Sequence, residues 1–303
     1  MRKRVRRTIL VLLIPLAAIA ANVGYDFYQV HEMVRLHSQP DPPAASPLAR
    51  SPDYLRVLFI GNSFTNFYGG QALLLTRLAV SAHEAHLPIA EQVTVNGVTL
   101  KYHWEHGQAL RRIREGNWDY VVLQDHSTNP IVNRAEMFQY ARLFDAEIRK
   151  VGARTVFYMT WARKDQPPNQ KVIASAYESL AQELGAEVVP VGLAWQDSIQ
   201  ESPKLELFEK DKKHPNSRGA YLTACSFYRF FYGHSPRGLE HVVPGAVGMK
   251  RNYLTTSDTD AAFLQGVADK TVTTFARYHP ATNPAMTPDV ALHESAQRTR
   301  GEP

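Results

Sequence analysis

Short apolar runs alternate with segments of helical spacing along most of this chain, and this alternation constrains the fold more than any other sequence feature. Apolar runs rich in β-branched and aromatic residues are typical of buried strands. Five segments have strand character: residues 55–60, 91–96, 118–124, 155–161 and 187–191. Helical segments follow at residues 71–85, 103–115, 133–150 and 169–184. Strands separated by helices predict a three-layer α/β/α sandwich around a five-stranded parallel sheet.

The two ends of the chain differ in composition from this alternating region. Residues 1–21 place basic side chains before an apolar run and small residues, which is typical of an export signal. If this segment is retained instead, residues 8–25 would anchor the protein in the inner membrane. Residues 22–52 are predicted to form a short helix and a proline-rich linker, and residues 279–303 a disordered tail. These boundaries leave a domain at residues 53–278 in an exported protein, periplasmic or secreted.

The charge balance gives no indication of nucleic-acid binding. The formal charge of +5 comes from five basic residues before Thr8, and the remaining 29 basic residues balance the 29 acidic ones. The only cysteine, Cys225, lies in an apolar helical segment and is expected to be a buried structural thiol.

The first strand ends in a polar turn, Gly61-Asn62-Ser63. We expect Gly61 and Asn62 to provide unusual backbone angles for a tight turn. A serine between a parallel strand and the next helix lies where open α/β sheets bind their ligands. This stretch alone fits a turn or capping serine as well as a nucleophile.

A second polar segment, Asp211-Lys212-Lys213-His214-Pro215, supplies what a serine nucleophile needs. Pro215 suits the first position of a helix, so Asp211 and His214 are expected in the loop before it. The aspartate can bond one ring nitrogen of His214, which leaves the other free to accept a proton. Taken alone, a capping aspartate beside a surface histidine explains the pattern equally well.

Together, the two segments resemble the SGNH (GDSL-like) hydrolase family, in which the serine follows the first strand and Asp-x-x-His precedes the last main helix. Asn62 replaces the aspartate of the commoner Gly-Asp-Ser block. The block after the third strand, Leu123-Gln124-Asp125-His126-Ser127, is similar to that of a divergent bacterial branch.

The resemblance implies a flavodoxin-like sheet and hydrolysis of carboxylic esters through an acyl-enzyme, with no metal or cofactor. Ser63 would be the nucleophile, His214 the general base and then acid, and Asp211 the orienting carboxylate. The oxyanion hole would use the backbone N–H of Ser63, Gly97 after the second strand, and an amide after the third. For that amide we predict Gln124, with Asn129 as its rival.

Three further residues are candidates for the pocket: Asn62, His103 and Trp161. The alternative for Trp161 is a core aromatic residue. The pairs His83/His86 and His103/His106 have no clear third ligand, so a metal site is not predicted.

The sequence therefore predicts a serine esterase that acts on an acyl ester of a small molecule or carbohydrate, with acetyl esters as the first candidates. Two alternatives remain open on the same fold: an O-acyltransferase, and a non-catalytic envelope protein that binds glycan or serves as a scaffold. If the protein is an enzyme, the hydroxyl of Ser63 must lie within hydrogen-bond reach of His214.

Overall fold

The structure is a computed structural model that describes residues 54–244 and 254–279. The predicted signal or anchor (1–21), the linker (22–52) and the tail beyond His279 lie outside the described residues. Within the described ranges, no helix is both long and apolar enough to cross a membrane.

Five parallel strands form the central sheet, and the predicted architecture is confirmed. The strands are β1 (Tyr54–Gly61), β2 (Leu87–Thr94), β3 (Tyr120–Leu123), β4 (Arg154–Tyr158) and β5 (Glu187–Val189). Their order across the sheet is β2-β1-β3-β4-β5, which places β1 between β2 and β3. As Pro190 indicated, β5 is an edge strand that ends before the proline.

Helices cover both faces of this sheet. In chain order they are α1 (Ser63–Asn66), α2 (Gln71–Ser81), α3 (Leu100–His106), α4 (Gln108–Glu115), α5 (Asn129–Val132), α6 (Arg134–Lys150), α7 (Asn169–Leu184), α8 (Val191–Glu201), α9 (Ser217–Tyr232) and α10 (Asp258–Tyr278). A short antiparallel pair, β6 (Val242–Val243) and β7 (Leu254–Thr255), lies outside the main sheet.

Alternate residues of β1 divide the interior into two cores. Val57 and Phe59 pack on one face with α2, α8, α9 and α10, whereas Leu58 and Ile60 pack on the other with α3, α4, α6 and α7. All four side chains are fully buried. Since successive residues of a strand point to opposite faces, this continuous apolar run requires cover on both sides.

Some boundaries differ from those predicted. The helix expected at 103–115 is two helices, because Gly107 takes a left-handed φ of 72° that ends α3. Strand β2 starts at Leu87, since its pairing with β1 extends back to Tyr54. Helices α8 and α10 were not predicted.

Cys225 lies fully buried in α9, and burial raises the pKa of its thiol. The prediction of a structural thiol is confirmed.

Parallel strands place their carboxyl ends at one edge, and three of these ends matter for function. The segments that follow β1, β3 and β4 begin at Asn62, Gln124 and Met159. The loop before α9 adds His214, so residues distant in sequence meet at this edge.

Candidate active site

Ser63 is the first residue of α1, directly beyond the end of β1. The side chain of Asn62 caps this short helix: its Oδ1 accepts a hydrogen bond from the N–H of Phe64 at 3.1 Å. Its Nδ2 donates to the carbonyl of Val98 at 3.0 Å, which ties the turn to the segment after β2. The backbone N–H of Ser63 has no acceptor within the helix, because first-turn N–H groups have none.

The expectation that Gly61 and Asn62 supply unusual backbone angles is wrong. Asn62 is extended, with φ −128° and ψ −150°, and Gly61 is not among the residues with positive φ. Gly61 is needed for space: an added Cβ would lie 2.5 Å from both Gln124 Oε1 and Thr65 Oγ1. The glycine therefore allows the serine turn to approach the segment after β3.

We expect the substitution Gly61→Ala to destabilise the fold by about 1–3 kcal/mol, because overpacking forces neighbouring groups apart. Urea unfolding monitored by circular dichroism measures the change. A free energy of unfolding within about 0.5 kcal/mol of wild type would contradict this close approach.

His214 and Asp211 reach Ser63 from the loop before α9. The Oγ of Ser63 lies 2.8 Å from Nε2 of His214, within the hydrogen-bond reach that the enzyme hypothesis requires. The Nδ1 of His214 lies 2.5 Å from Oδ2 of Asp211. Because a carboxylate only accepts, the ring proton sits on Nδ1 and leaves Nε2 free to accept from the serine hydroxyl.

The carboxylate of Asp211 is held in its ionised form. Its Oδ1 accepts hydrogen bonds from the N–H groups of Lys213 and His214, both at 3.0 Å. Burial alone would raise the pKa of Asp211, but the hydrogen bonds from the ring and backbone of His214 and from Lys213 outweigh it and lower the pKa to about 2.

Aromatic side chains fix the position of the His214 ring. Phe67 stacks on it with ring centroids 4.6 Å apart, and Phe64 meets it edge-on at 5.6 Å. On the far side of Phe64, the indole of Trp161 stacks at 4.4 Å and donates to the carbonyl of Lys213 at 2.9 Å.

This arrangement corrects the suggestion that Trp161 lines the pocket. Its side chain is 2% exposed and is sandwiched between Phe64 and Trp195. Trp161 is therefore a core aromatic residue, as the alternative stated. Through its hydrogen bond to Lys213 it also positions the loop that carries His214.

Two non-glycine residues beside the site have a left-handed backbone: Tyr68 with φ 57° and Lys212 with φ 63°. The hydroxyl of Tyr68 donates to Glu209 at 2.6 Å, which joins the loop after Ser63 to the loop of His214. Such strain persists only where surrounding contacts hold it, and it is frequent at functional sites.

Pro215 was expected at the first position of α9, but it lies outside that helix. Asn216 caps that helix through hydrogen bonds from Arg218 and Gly219, so the proline lies two residues before the first helical residue.

A cavity of about 370 Å³ opens beside Ser63. Four predicted residues line it, namely Asn62, Ser63, Gly97 and His214. Residues that the sequence analysis did not propose for the site also line it: Phe64, Phe67, Asn96, His126, Ser127, Arg163 and Lys213. His126 and Ser127 follow β3 and Arg163 follows β4, so their place at the carboxyl edge was the signal that could have found them.

Gln124 is not in the oxyanion hole, which corrects that prediction. It is 1% exposed, and its Oε1 accepts from the N–H of Asn62 and the hydroxyl of Thr65, both at 2.9 Å. Its Nε2 donates to the carbonyl of Asp125. Gln124 therefore lies beneath the serine turn and supports it, away from the cavity.

Its rival, Asn129, is also committed elsewhere. The Nδ2 of Asn129 donates to Asp125 at 3.0 Å, and the same carboxylate accepts from the N–H groups of Leu100 and His126 at 2.8 and 2.7 Å. Burial raises the pKa of Asp125, and these hydrogen bonds oppose that rise. The amide and carboxylate side chains after β3 thus hold the loop together.

His103 is buried, and its prediction as a pocket residue is wrong. It is 3% exposed, and its Nε2 donates to the carbonyl of Gly61 at 2.8 Å. Burial lowers its pKa to about 4, so the ring is neutral at neutral pH. Its role is to hold the end of β1.

Gly97 fits its predicted position. Its φ of 73° favours glycine, it lines the cavity, and an added Cβ would meet nothing within 4 Å. Its N–H donates to no described residue, so it is available to a bound group.

His126 lines the cavity and is half-buried. Its Nδ1 lies 2.9 Å from the hydroxyl oxygen and 3.4 Å from the backbone nitrogen of Thr128. Burial lowers its pKa first, and the positive charges of Arg163 and Lys213 lower it further.

Among the described residues, no group of three or more His, Cys, Asp or Glu side chains is arranged to hold a metal ion.

The chain has the fold of the SGNH hydrolases. Three features define this class: the strand order, the serine after β1 and the Asp-x-x-His loop before α9. The resemblance predicted from sequence is thereby confirmed at the level of the fold. The sequence itself matches no protein-family model and no curated protein.

Two solved structures illustrate the similarity. A DUF4886 family protein from Bacteroides uniformis is 17% identical, with a TM-score of 0.57 over 77% of this chain and 98% of that one. A protein from Slackia heliotrinireducens, assigned to the SGNH hydrolases, is 20% identical, with a TM-score of 0.51 over 58% and 98% of the two chains. At these identities the similarity is one of fold.

Proposed function

We propose that this protein is a serine esterase that hydrolyses acyl esters through an acyl-enzyme. The observation that carries the proposal is the chain of two hydrogen bonds, from Ser63 Oγ to His214 Nε2 at 2.8 Å and from His214 Nδ1 to Asp211 at 2.5 Å. It matches the requirements of a nucleophile, its base and an orienting carboxylate.

In the first half of the reaction, the Oγ of Ser63 attacks the ester carbonyl carbon while its proton passes to Nε2 of His214. The ionised carboxylate of Asp211 stabilises the imidazolium. When the tetrahedral intermediate collapses, His214 gives the proton to the leaving alcohol oxygen, and the acyl group stays on Ser63.

In the second half, His214 takes a proton from water, whose oxygen attacks the acyl-enzyme. Collapse releases the carboxylic acid and returns the proton to Ser63. The side chain of His214 is 18% exposed, so water has access to the base.

The N–H groups of Ser63 and Gly97 would stabilise the oxyanion, because both can donate into the same cavity. For a third donor we infer the segment His126-Ser127, since it follows β3 and lines the cavity where Gln124 does not.

The compartment and the substrate are proposed from the sequence. The basic and apolar residues of 1–21 favour export, with residues 8–25 as a membrane tether if the signal is retained. An acyl ester of a small molecule or carbohydrate, acetyl esters first, fits this location. The mass of the protein purified from the native periplasm checks whether the segment is cleaved.

The test of the proposed function is covalent labelling. An organophosphonate probe should modify one peptide, the one that contains Ser63, and Ser63→Ala should abolish both this label and the turnover of p-nitrophenyl acetate. The control Ser175→Ala removes an exposed hydroxyl from α7 and should label like wild type. Label or turnover that survives in Ser63→Ala would place the nucleophile elsewhere.

A further inference from the structure

Two cationic residues line the cavity beside Ser63. Arg163 follows the end of β4, and Lys213 immediately precedes His214. No carboxylate residue lines the cavity within the described part of the chain, and nearby Asp211 is already bonded to His214. The cavity is therefore positively charged.

Neither cation is neutralised by a described residue. Most other arginines of the described region form ion pairs, for example Arg142 with Glu183 and Arg218 with Asp260. Arg163 and Lys213 form none there, and the Nε of Arg163 is buried without a hydrogen-bond partner.

The charges of Arg163 and Lys213 both act on His126. Besides burial, the positive charges of Arg163 and Lys213 lower the pKa of His126, which lines the same cavity. Because both side chains line the cavity, both charges can act on one group bound there.

A half-buried guanidinium without a counter-charge among the described residues gains free energy when an anion pairs with it. A neutral acyl ester offers no charge to either cation, whereas a carboxylate, sulfate or phosphate would pair with both Arg163 and Lys213. Such an anion would enter as part of the substrate, because the same cavity contains the Oγ of Ser63.

We propose that the natural substrate carries an anionic group close to its ester bond, held by Arg163 and Lys213. This inference rests on the proposed esterase function for its chemistry, but anion binding by the cavity can be tested without turnover.

Two matched pairs of esters locate the charge. In the first pair the negative charge is on the acyl side: mono-4-nitrophenyl glutarate carries it, and 4-nitrophenyl pentanoate is the neutral counterpart. In the second pair it is on the alcohol side: 4-acetoxybenzoate carries it, and the methyl ester of that compound is the neutral counterpart. With each rate divided by that of alkaline hydrolysis, wild type should prefer the anionic member of one pair by about 10-fold or more in kcat/KM.

In Arg163→Gln this preference should fall towards 1, and in Lys213→Gln it should fall in part. Raising the ionic strength from about 0.02 to 0.5 M should also reduce it, since salt screens charge. Two controls remove a paired cation outside the cavity, Arg142→Gln and Lys164→Gln, and should keep the wild-type preference.

Equal rates for both members of both pairs in wild type would overturn the proposal. So would a loss in Arg163→Gln that is equal on charged and neutral esters, because the cation would then act on the transition state of every substrate.

Calorimetry on Ser63→Ala separates this proposal from the esterase function. If that variant binds the anionic ester about 10-fold tighter than the neutral one, the anion site stands even when wild type hydrolyses neither. If it binds both equally, the anion site fails even when wild type hydrolyses both.

Discussion

Replacing His214 by alanine is expected to lower kcat/KM for ester hydrolysis by about 10³-fold or more, the range seen when a member of a catalytic triad is removed. The imidazole lies 2.8 Å from the Oγ of Ser63, and without it the serine proton has no acceptor at that distance on the proposed path. Initial rates with p-nitrophenyl acetate, measured beside wild type, give the size of the loss.

The environment of His214 provides a second readout. The ring fills a space between Phe67 and Phe64, so its removal should leave a slot that added imidazole can enter. Partial recovery of turnover with imidazole would assign the loss to the missing base and not to misfolding.

His86→Ala removes an exposed histidine side chain away from the cavity and should retain wild-type rates. A His214→Ala protein that keeps more than a tenth of the wild-type kcat/KM would contradict the assignment of the base.

Asp211→Asn is expected to lower kcat by about 10⁴-fold while the protein stays folded, as in triads where this aspartate has been replaced. The Oδ1 can still accept from Lys213 and His214, so the loop geometry should persist. The new amide nitrogen, however, would donate to Nδ1 of His214 and drive the ring proton to Nε2. In that tautomer Nε2 cannot accept the proton of Ser63.

The control Asp165→Asn changes an exposed carboxylate outside the cavity and should leave kcat unchanged. Loss of the wild-type far-ultraviolet circular dichroism in Asp211→Asn would contradict the assumption that its loop persists. An unchanged kcat would remove Asp211 from the mechanism.

The pKa of Asp211 also sets the sign of its effect on stability. The folded-state pKa of about 2 is below the ordinary value of 3.8, so the carboxylate stabilises the folded protein fully above pH 3.8. That contribution is lost as the pH falls towards 2. It is screened by solvent, since the side chain of Asp211 is 40% exposed.

Much of the site could be predicted because its main residues belong to short local patterns. The order of a serine after the first strand and Asp-x-x-His before a late helix, read on a parallel sheet, was enough to bring Ser63 and His214 to one edge. The spacing of Asp211 and His214 within a single loop was enough to predict their contact.

The supporting residues could not be assigned in the same way. Gln124 and Trp161 both come from strand-like segments at the right edge, and this position, together with the side-chain amide of Gln124, made them candidates for the site. Successive side chains along an extended segment point in opposite directions, and a change of one residue in register reverses which of them faces the site.

The sequence by itself therefore determined the sheet, its two buried faces and the three residues of the proposed triad, because periodicity and short-range spacing are properties of the chain. Only the tertiary structure decided that Gln124 supports the serine turn, that Trp161 and His103 are buried, and that Arg163 meets Lys213 in one cavity. These outcomes depend on how the ends of separate strands pack against each other in space, and no local pattern records that packing.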